Sequence, residues 1–119
     1  MRNDPLTSKS FQFSLRIIKL YKYLTIDQKE YILSKQILRS GTSIGALISE
    51  AKFAQSKADF INKMYISLKE ANETRYWLRL LVESEYITDE MFQSILPDIE
   101  TLIKLLVSST KTAKKNHAK

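Results

Sequence analysis

Cysteine is absent from this chain of 119 residues, glycine and proline occur twice each, and histidine occurs once. Without cysteine there are no disulfides, no thiolate metal sites and no cysteine nucleophile. A β-rich fold of this length needs many tight turns, and tight turns draw on glycine and proline. The usual shares of about 7 % and 5 % lie far above those here. Sandwiches and barrels are therefore disfavoured, and a few long helices are expected. The lone histidine, His117, stands in a polar tail. Long apolar runs are also missing. The densest patch, Leu102-Ile103-Lys104-Leu105-Leu106-Val107, is short and holds a lysine, where a membrane span needs about 20 apolar residues. Met1-Arg2-Asn3-Asp4-Pro5 leads into no apolar segment of signal-peptide length. The expectation is a cytoplasmic protein with no membrane role.

What is present fits one soluble domain spanning residues 1–119. Hydrophobic residues make up 44 % and charged residues 27 %, a globular rather than a disordered balance. The net charge of +6 is unevenly spread. Residues 1–82 hold fourteen Lys/Arg against seven Asp/Glu; residues 83–100 hold six acids and no base; residues 101–119 hold five lysines and no acid. A basic excess concentrates polyanions near a protein, so nucleic acid is a natural partner. The same charge also suits a plain solvated surface.

Four helices follow from period and caps. The first runs from about residue 8 to Leu24, with Asp4-Pro5 suited to open it. Phe13, Ile17, Leu20 and Leu24 share one side; Phe11, Leu15 and Ile18 share nearly the opposite side. Two apolar faces want two partners, so one face is expected at the core and the other against a second subunit or another helix. The second helix is expected from about Ile26 to Phe53, opened by a Thr25–Gln28 capping box. Its stripe is Ile26, Leu33, Ile37, Ile44, Ile48 and Ala51. Gly41 and Gly45 sit beside it, and a helical glycine costs about 1 kcal/mol relative to alanine. Close approach of a neighbouring helix offsets that cost; a break at Arg39–Ser43 is the alternative. The third helix runs from about Lys57 to Ser84, capped by Ser56. Its stripe of Phe60, Met64, Ser67, Ala71, Thr74, Leu78 and Leu81 is small in the middle, suited to face the glycines. Ile66, Trp77 and Leu80 lie on another face. The fourth follows Thr88-Asp89-Glu90 and carries Phe92, Ile95, Leu96, Ile99, Leu102, Ile103 and Leu106 to about Ser108. Pro97 should kink or split it. Residues 109–119 are expected to be a frayed basic tail. Long helices with short links pack as an all-α, antiparallel up-down-up-down four-helix bundle.

The residue types leave little room for catalysis. A di-metal carboxylate site wants inward glutamates with Glu-x-x-His pairs; Glu50, Glu70 and Glu73 are present, but no helix carries a histidine. Haem ligation has only His117 in the tail and unspecific Met64 or Met91. A triad lacks its base. No catalytic residue, metal or cofactor is expected. Tyr65, Tyr76 and Trp77 beside Lys63, Lys69, Arg75 and Arg79 suit base stacking and phosphate contact, although aromatics on a helix more often pack.

Three stretches in order carry a resemblance: Arg39-Ser40-Gly41-Thr42-Ser43-Ile44-Gly45-Ala46 with Glu50-Ala51; Gln55-Ser56-Lys57-Ala58-Asp59-Phe60; and Leu68-Lys69-Glu70-Ala71-Asn72-Glu73-Thr74-Arg75-Tyr76-Trp77-Leu78. Together they resemble the bacterial four-helix-bundle family encoded within intervening sequences of 23S ribosomal RNA genes, to which the accessory variability proteins of diversity-generating retroelements are similar. The likeness covers about residues 10–107. It departs at Leu47, where the family commonly has Asn, so a role for that Asn does not transfer. The resemblance implies a ring-shaped homopentamer. Its retroelement relatives bind nucleic acid and a reverse transcriptase through basic surface, and most members have no established activity.

The resulting expectation is a non-catalytic homo-oligomer that binds nucleic acid, structured RNA or an RNA–protein complex foremost, with a nucleic-acid enzyme as a further partner. The phosphate-contacting candidates are Arg16, Lys19, Lys22, Arg39, Lys111, Lys114 and Lys115. Helix packing is assigned to Gly41, Gly45 and Ala71, and the subunit interface to Phe11, Leu15, Ile18, Ile66, Trp77 and Leu80. A polyanion should avoid the acidic turn between the third and fourth helices. The rivals are a protein-interaction scaffold with no nucleic-acid role and an enzyme built on Glu50, Glu70 and Glu73.

Overall fold

The computed structural model describes residues 4–118. Four helices follow in order: α1, Pro5–Lys22; α2, Leu33–Ala51; α3, Lys57–Glu83; and α4, Asp89–Ala118. No strand occurs among the described residues. Each helix packs against its sequence neighbours, and α4 closes back on α1. That adjacency is an antiparallel up-down-up-down bundle, 50 Å along its principal axis.

Local chemistry accounts for the starts. The Asp4 carboxylate accepts from the Thr7 N–H at 2.8 Å, with Pro5 in the first helical turn. That bond, more than any other influence, holds the Asp4 carboxyl below its usual range. Ser56 Oγ accepts from the Asp59 N–H at 3.0 Å, and Thr88 Oγ1 accepts from the Met91 N–H at 3.1 Å. Each cap satisfies an orphan donor of its helix.

The start of α2 differs from the expected capping box. After α1 the chain widens into a π-helical turn, Tyr23–Asp27. Thr25 Oγ1 donates backward to the Tyr21 carbonyl at 2.9 Å instead of capping forward. Lys29 then adopts a left-handed φ of 53°, and α2 begins only at Leu33. Its cap is Glu30, whose carboxylate accepts from the N–H groups of Ile32, Leu33 and Ser34 at 3.2, 2.9 and 2.7 Å. Ile26, expected on the core stripe, is instead 67 % exposed.

The core consists of the predicted stripes. Phe13, Ile17, Leu20 and Leu24 meet Ile37, Ile44, Ile48 and Ala51 of α2, Met64, Ala71, Leu78 and Leu81 of α3, and Ile95, Ile99, Leu102 and Leu106 of α4. Each large aliphatic side chain so buried contributes about 1.5–3 kcal/mol.

The glycines allow close approach, but to a different neighbour from the one expected. A Cβ at Gly41 would stand 2.7 Å from Ile17 Cγ1, and one at Gly45 would stand 3.3 Å from the Ser10 carbonyl oxygen. Both contacts belong to α1, not α3. The small residues of α3 serve α2 elsewhere: Ser67 Oγ donates to the Ile44 carbonyl at 2.9 Å, and Thr74 is hydrogen-bonded to Ser40 at 2.8 Å. No break occurs at Arg39–Ser43.

Two expectations about α4 need correction. Pro97 does not split the helix, which runs unbroken through it. The ring faces solvent, where water can bond the carbonyl that a proline leaves without a donor. The tail expected to fray from residue 109 is helical to Ala118. Thr110 is buried there and donates to the Leu106 carbonyl at 2.6 Å. Lys119 lies outside the described residues.

Candidate nucleic-acid interface

The seven cations proposed to contact phosphate are not gathered into one patch. Antiparallel packing puts the C-terminal end of α1 beside the N-terminal end of α4. Arg16 lies there, and its guanidinium is committed to α4. It donates to Asp98 Oδ2 at 2.6 Å, to the Ser94 carbonyl at 3.0 Å and to Ser94 Oγ at 2.8 Å. Lys19 lines the same cleft as Glu90, and Lys22 follows in the last turn of α1. Cations there also suit the negative end of the helix dipole. Both lysines therefore share an end with the acidic turn that a polyanion should avoid. Arg39 stands alone and exposed on α2, close enough to Glu70 to favour its ionised form.

Lys111, Lys114 and Lys115 occupy the opposite end, all exposed. Lys114 Nζ donates to the Tyr65 hydroxyl at 3.0 Å and lies 5.2 Å from the centre of that ring. At the same end the structure places two lysines the sequence reading missed, Lys52 and Lys57. They line a cleft of about 620 Å³ between the α2–α3 link and the last turns of α4, with Ser56, Ser108, Ser109, Thr112 and Asn116. One signal for it exists in the sequence. Ser108, Thr112 and Asn116 recur every four residues, which aligns them on one helix face. Nothing local, however, announces which link that face will meet. Among the described residues, the salt bridges are Arg16–Asp98 and Lys63–Glu50. Lys63 also lies near this end, but neither bridge involves Lys52, Lys57, Lys111, Lys114 or Lys115.

The carboxylates considered for catalysis separate in space. Glu50 binds Lys63 at 2.9 Å and thereby raises the lysine's pKa. Glu73 accepts from Trp77 Nε1 at 3.1 Å. Glu70 neighbours Glu73; burial first, then the Glu73 charge, raises its carboxyl above the usual 4.5. One Glu70 oxygen, Oε1, is buried without a hydrogen-bond partner. No group of three or more metal-ligating side chains occurs among the described residues.

The six interface candidates also fall into two sets. Phe11, Leu15 and Ile18 form an outward stripe on α1, with Phe11 62 % exposed. Ile66 and Leu80 are half-buried on α3. Trp77 packs partly against the core and meets Tyr76 edge-on at 5.4 Å. Ala71, assigned to packing, is fully buried. No helix among the described residues is long and apolar enough to cross a membrane.

Comparison with known proteins adds to this geometry. The family model described as 23S rRNA-intervening sequence protein matches residues 3–108. A crystal structure from Bacteroides thetaiotaomicron VPI-5482, of a protein with unknown function from the S23 ribosomal protein family, is 59 % identical. The match covers 89 % of this chain and 95 % of that one, with a TM-score of 0.88. No curated protein matches the chain.

Proposed function

We propose that this chain, which belongs to the 23S rRNA-intervening sequence protein family, is a non-catalytic homo-oligomer that binds nucleic acid through its lysine-rich end. The observation that carries the reading is that Lys52, Lys57, Lys111, Lys114 and Lys115 all stand at one end of the bundle, with no salt bridge to any of them among the described residues. Exposed ammonium groups of this kind contact phosphates, which position a nucleic acid without reading its sequence. Structured RNA is the preferred partner, because an RNA fold presents clustered phosphates to a compact patch. Arg16 contributes least, since Asp98 and Ser94 already occupy its guanidinium.

Self-association is supported by the outward stripe Phe11, Leu15 and Ile18. An apolar stripe on a charged surface is commonly covered by a partner, and a second copy is the partner proposed. The ring of five implied by the family resemblance is the specific form to test. A solution mass five times the 13.8 kDa of the chain supports it, and a monomer at micromolar concentration refutes it.

The test of nucleic-acid binding is a salt series with an RNA hairpin. Each phosphate neutralised releases counterions, so affinity should fall steeply with salt. A flat dependence, or no binding at low salt, refutes the reading. The same stripe also favours a second reading, a scaffold that recruits another protein and has no nucleic-acid role. A named partner recovered equally with and without nuclease, by a protein that binds no RNA, would establish that reading instead.

A further inference from the structure

The clefts on this bundle differ in chemistry. The one between α1 and α4, about 590 Å³, is floored by Leu20, Ile87, Met91 and Ile95, and its Arg16 is already satisfied. The one between the α2–α3 link and the end of α4 mixes apolar Ala51, Ala54, Phe60 and Ala113 with more polar side chains than the first. Its side chains include two ammonium groups, Lys52 and Lys57, the hydroxyls of Ser108, Ser109 and Thr112, and the Asn116 amide. No carboxylate lines it. Asp59 accepts from the Gln55 N–H at 3.2 Å; Asp4 caps α1 through Thr7 and shares an adjoining cleft with Lys52, whose charge favours its ionised form without a salt bridge. The volume lies within the range of about 300–1,000 Å³ typical of ligand sites.

Lys57 adds a separate argument. It is the first residue of α3, where the helix dipole disfavours a cation. Its position is thus a local cost to the fold. An anion seated between it and Lys52 would reverse that cost, because both ammonium groups would then face negative charge.

We infer that this cleft is a phosphate-binding seat, filled in a nucleic-acid complex by one backbone phosphodiester. The two lysines supply the charge, and the α4 hydroxyls and amide supply directed donors to the phosphate oxygens. This rests on the nucleic-acid reading above for the identity of the ligand, but not for the existence of the seat. It also places the contact on Lys52 and Lys57, outside the tail.

Two measurements on the full chain separate these levels. Inorganic phosphate, titrated at constant ionic strength against chloride, should shift the backbone amide resonances of residues 52–57 and 108–116 saturably. Lys52→Ala with Lys57→Glu should abolish those shifts. Glutamate suits the first turn of a helix, so the second substitution should leave thermal unfolding unimpaired, and Lys57→Glu alone provides the folded control. With the RNA hairpin, the double variant should lower the slope of log affinity against log salt by roughly 1.4–1.8, two contacts at about 0.7–0.9 each. Affinity at low salt should fall at least ten-fold. Phosphate shifts spread over all lysines, or absent from these segments, overturn the seat even if RNA binds. An unchanged salt slope in the variant does the same. Localised phosphate shifts with no RNA binding keep the seat and overturn the nucleic-acid reading. Equal displacement of phosphate by polyglutamate would overturn the phosphate assignment in favour of an acidic protein partner.

Discussion

At the end formed by the α1–α2 and α3–α4 links, charged side chains turn onto the backbone and onto one another. At the α2–α3 end one lysine, Lys63, pairs with Glu50, and Lys52, Lys57, Lys111, Lys114 and Lys115 are in no salt bridge among the described residues. The first end holds Glu30 on three backbone N–H groups and Arg16 on Asp98 and Ser94. It also holds the left-handed residues Lys29 and Glu85, at φ 53° and 67°, each costing about 1–2 kcal/mol without glycine. Its charges are used to close difficult turns. The second end crosses from α2 to α3 in a short link with one serine cap, and its lysines are not needed to hold it. The difference teaches that net charge says little about where a polyanion binds. What matters is which charges the fold has already consumed.

Substitutions can break this contrast, and the largest effect is expected at the first end. Glu30→Ala leaves three N–H groups at the start of α2 without their carboxylate. It should destabilise the fold by about 2 kcal/mol, read from the urea midpoint. RNA affinity of the folded fraction should not change. Next comes the lysine-rich end. Lys111→Ala with Lys114→Ala and Lys115→Ala should weaken RNA binding about ten-fold at low salt, roughly 1.4 kcal/mol, with unfolding nearly unchanged. Lys19→Ala with Lys22→Ala should cost less than about two-fold, because electrostatic attraction there is offset by the neighbouring acids. Equal losses from the two sets would erase the contrast.

Smaller effects sharpen it. A double-mutant cycle on Arg16 and Asp98, which are 40 % and 46 % exposed, should return a coupling of about 0.5 kcal/mol. A value near zero would return Arg16 to the set of available cations. Glu70, between the two ends, gives the mildest signal. Its folded pKa lies above 4.5, so the folded state holds the proton more tightly than the unfolded chain does. Stability is therefore lost as pH rises from 4.5 through the folded value. Glu70→Gln should remove that slope. Its unfolding midpoint should exceed the parent's more at pH 7 than at pH 4, and an equal difference at both would contradict the assignment.

The pattern of residues made much of this legible. Phe13, Ile17, Leu20 and Leu24 are core because their spacing places them on one face, and that face is buried. The Ser56 cap is local chemistry and stands as expected. Thr25–Gln28 looked equally like a cap, yet the better acceptor was Glu30, two residues beyond it. Its carboxylate reaches α2 only because a π-helical turn and a left-handed Lys29 swing the chain around. The tail from Ser109 onward read as frayed because its composition is polar. Thr110 is nonetheless buried, since its hydroxyl is satisfied within its own helix.

By itself the sequence determined the number of helices, the buried face of each and the chemistry the chain lacks. These depend on residues three or four apart, and such residues meet in any helix. The tertiary structure alone decided that the glycines admit α1, that Arg16 is bound to Asp98 eighty-two residues away, and that Lys52 and Lys57 face Ser108–Asn116. Those meetings depend on how far each helix is rotated and slid against its neighbours. Rotation and register are set by packing all four helices at once, and no local stretch of sequence carries them.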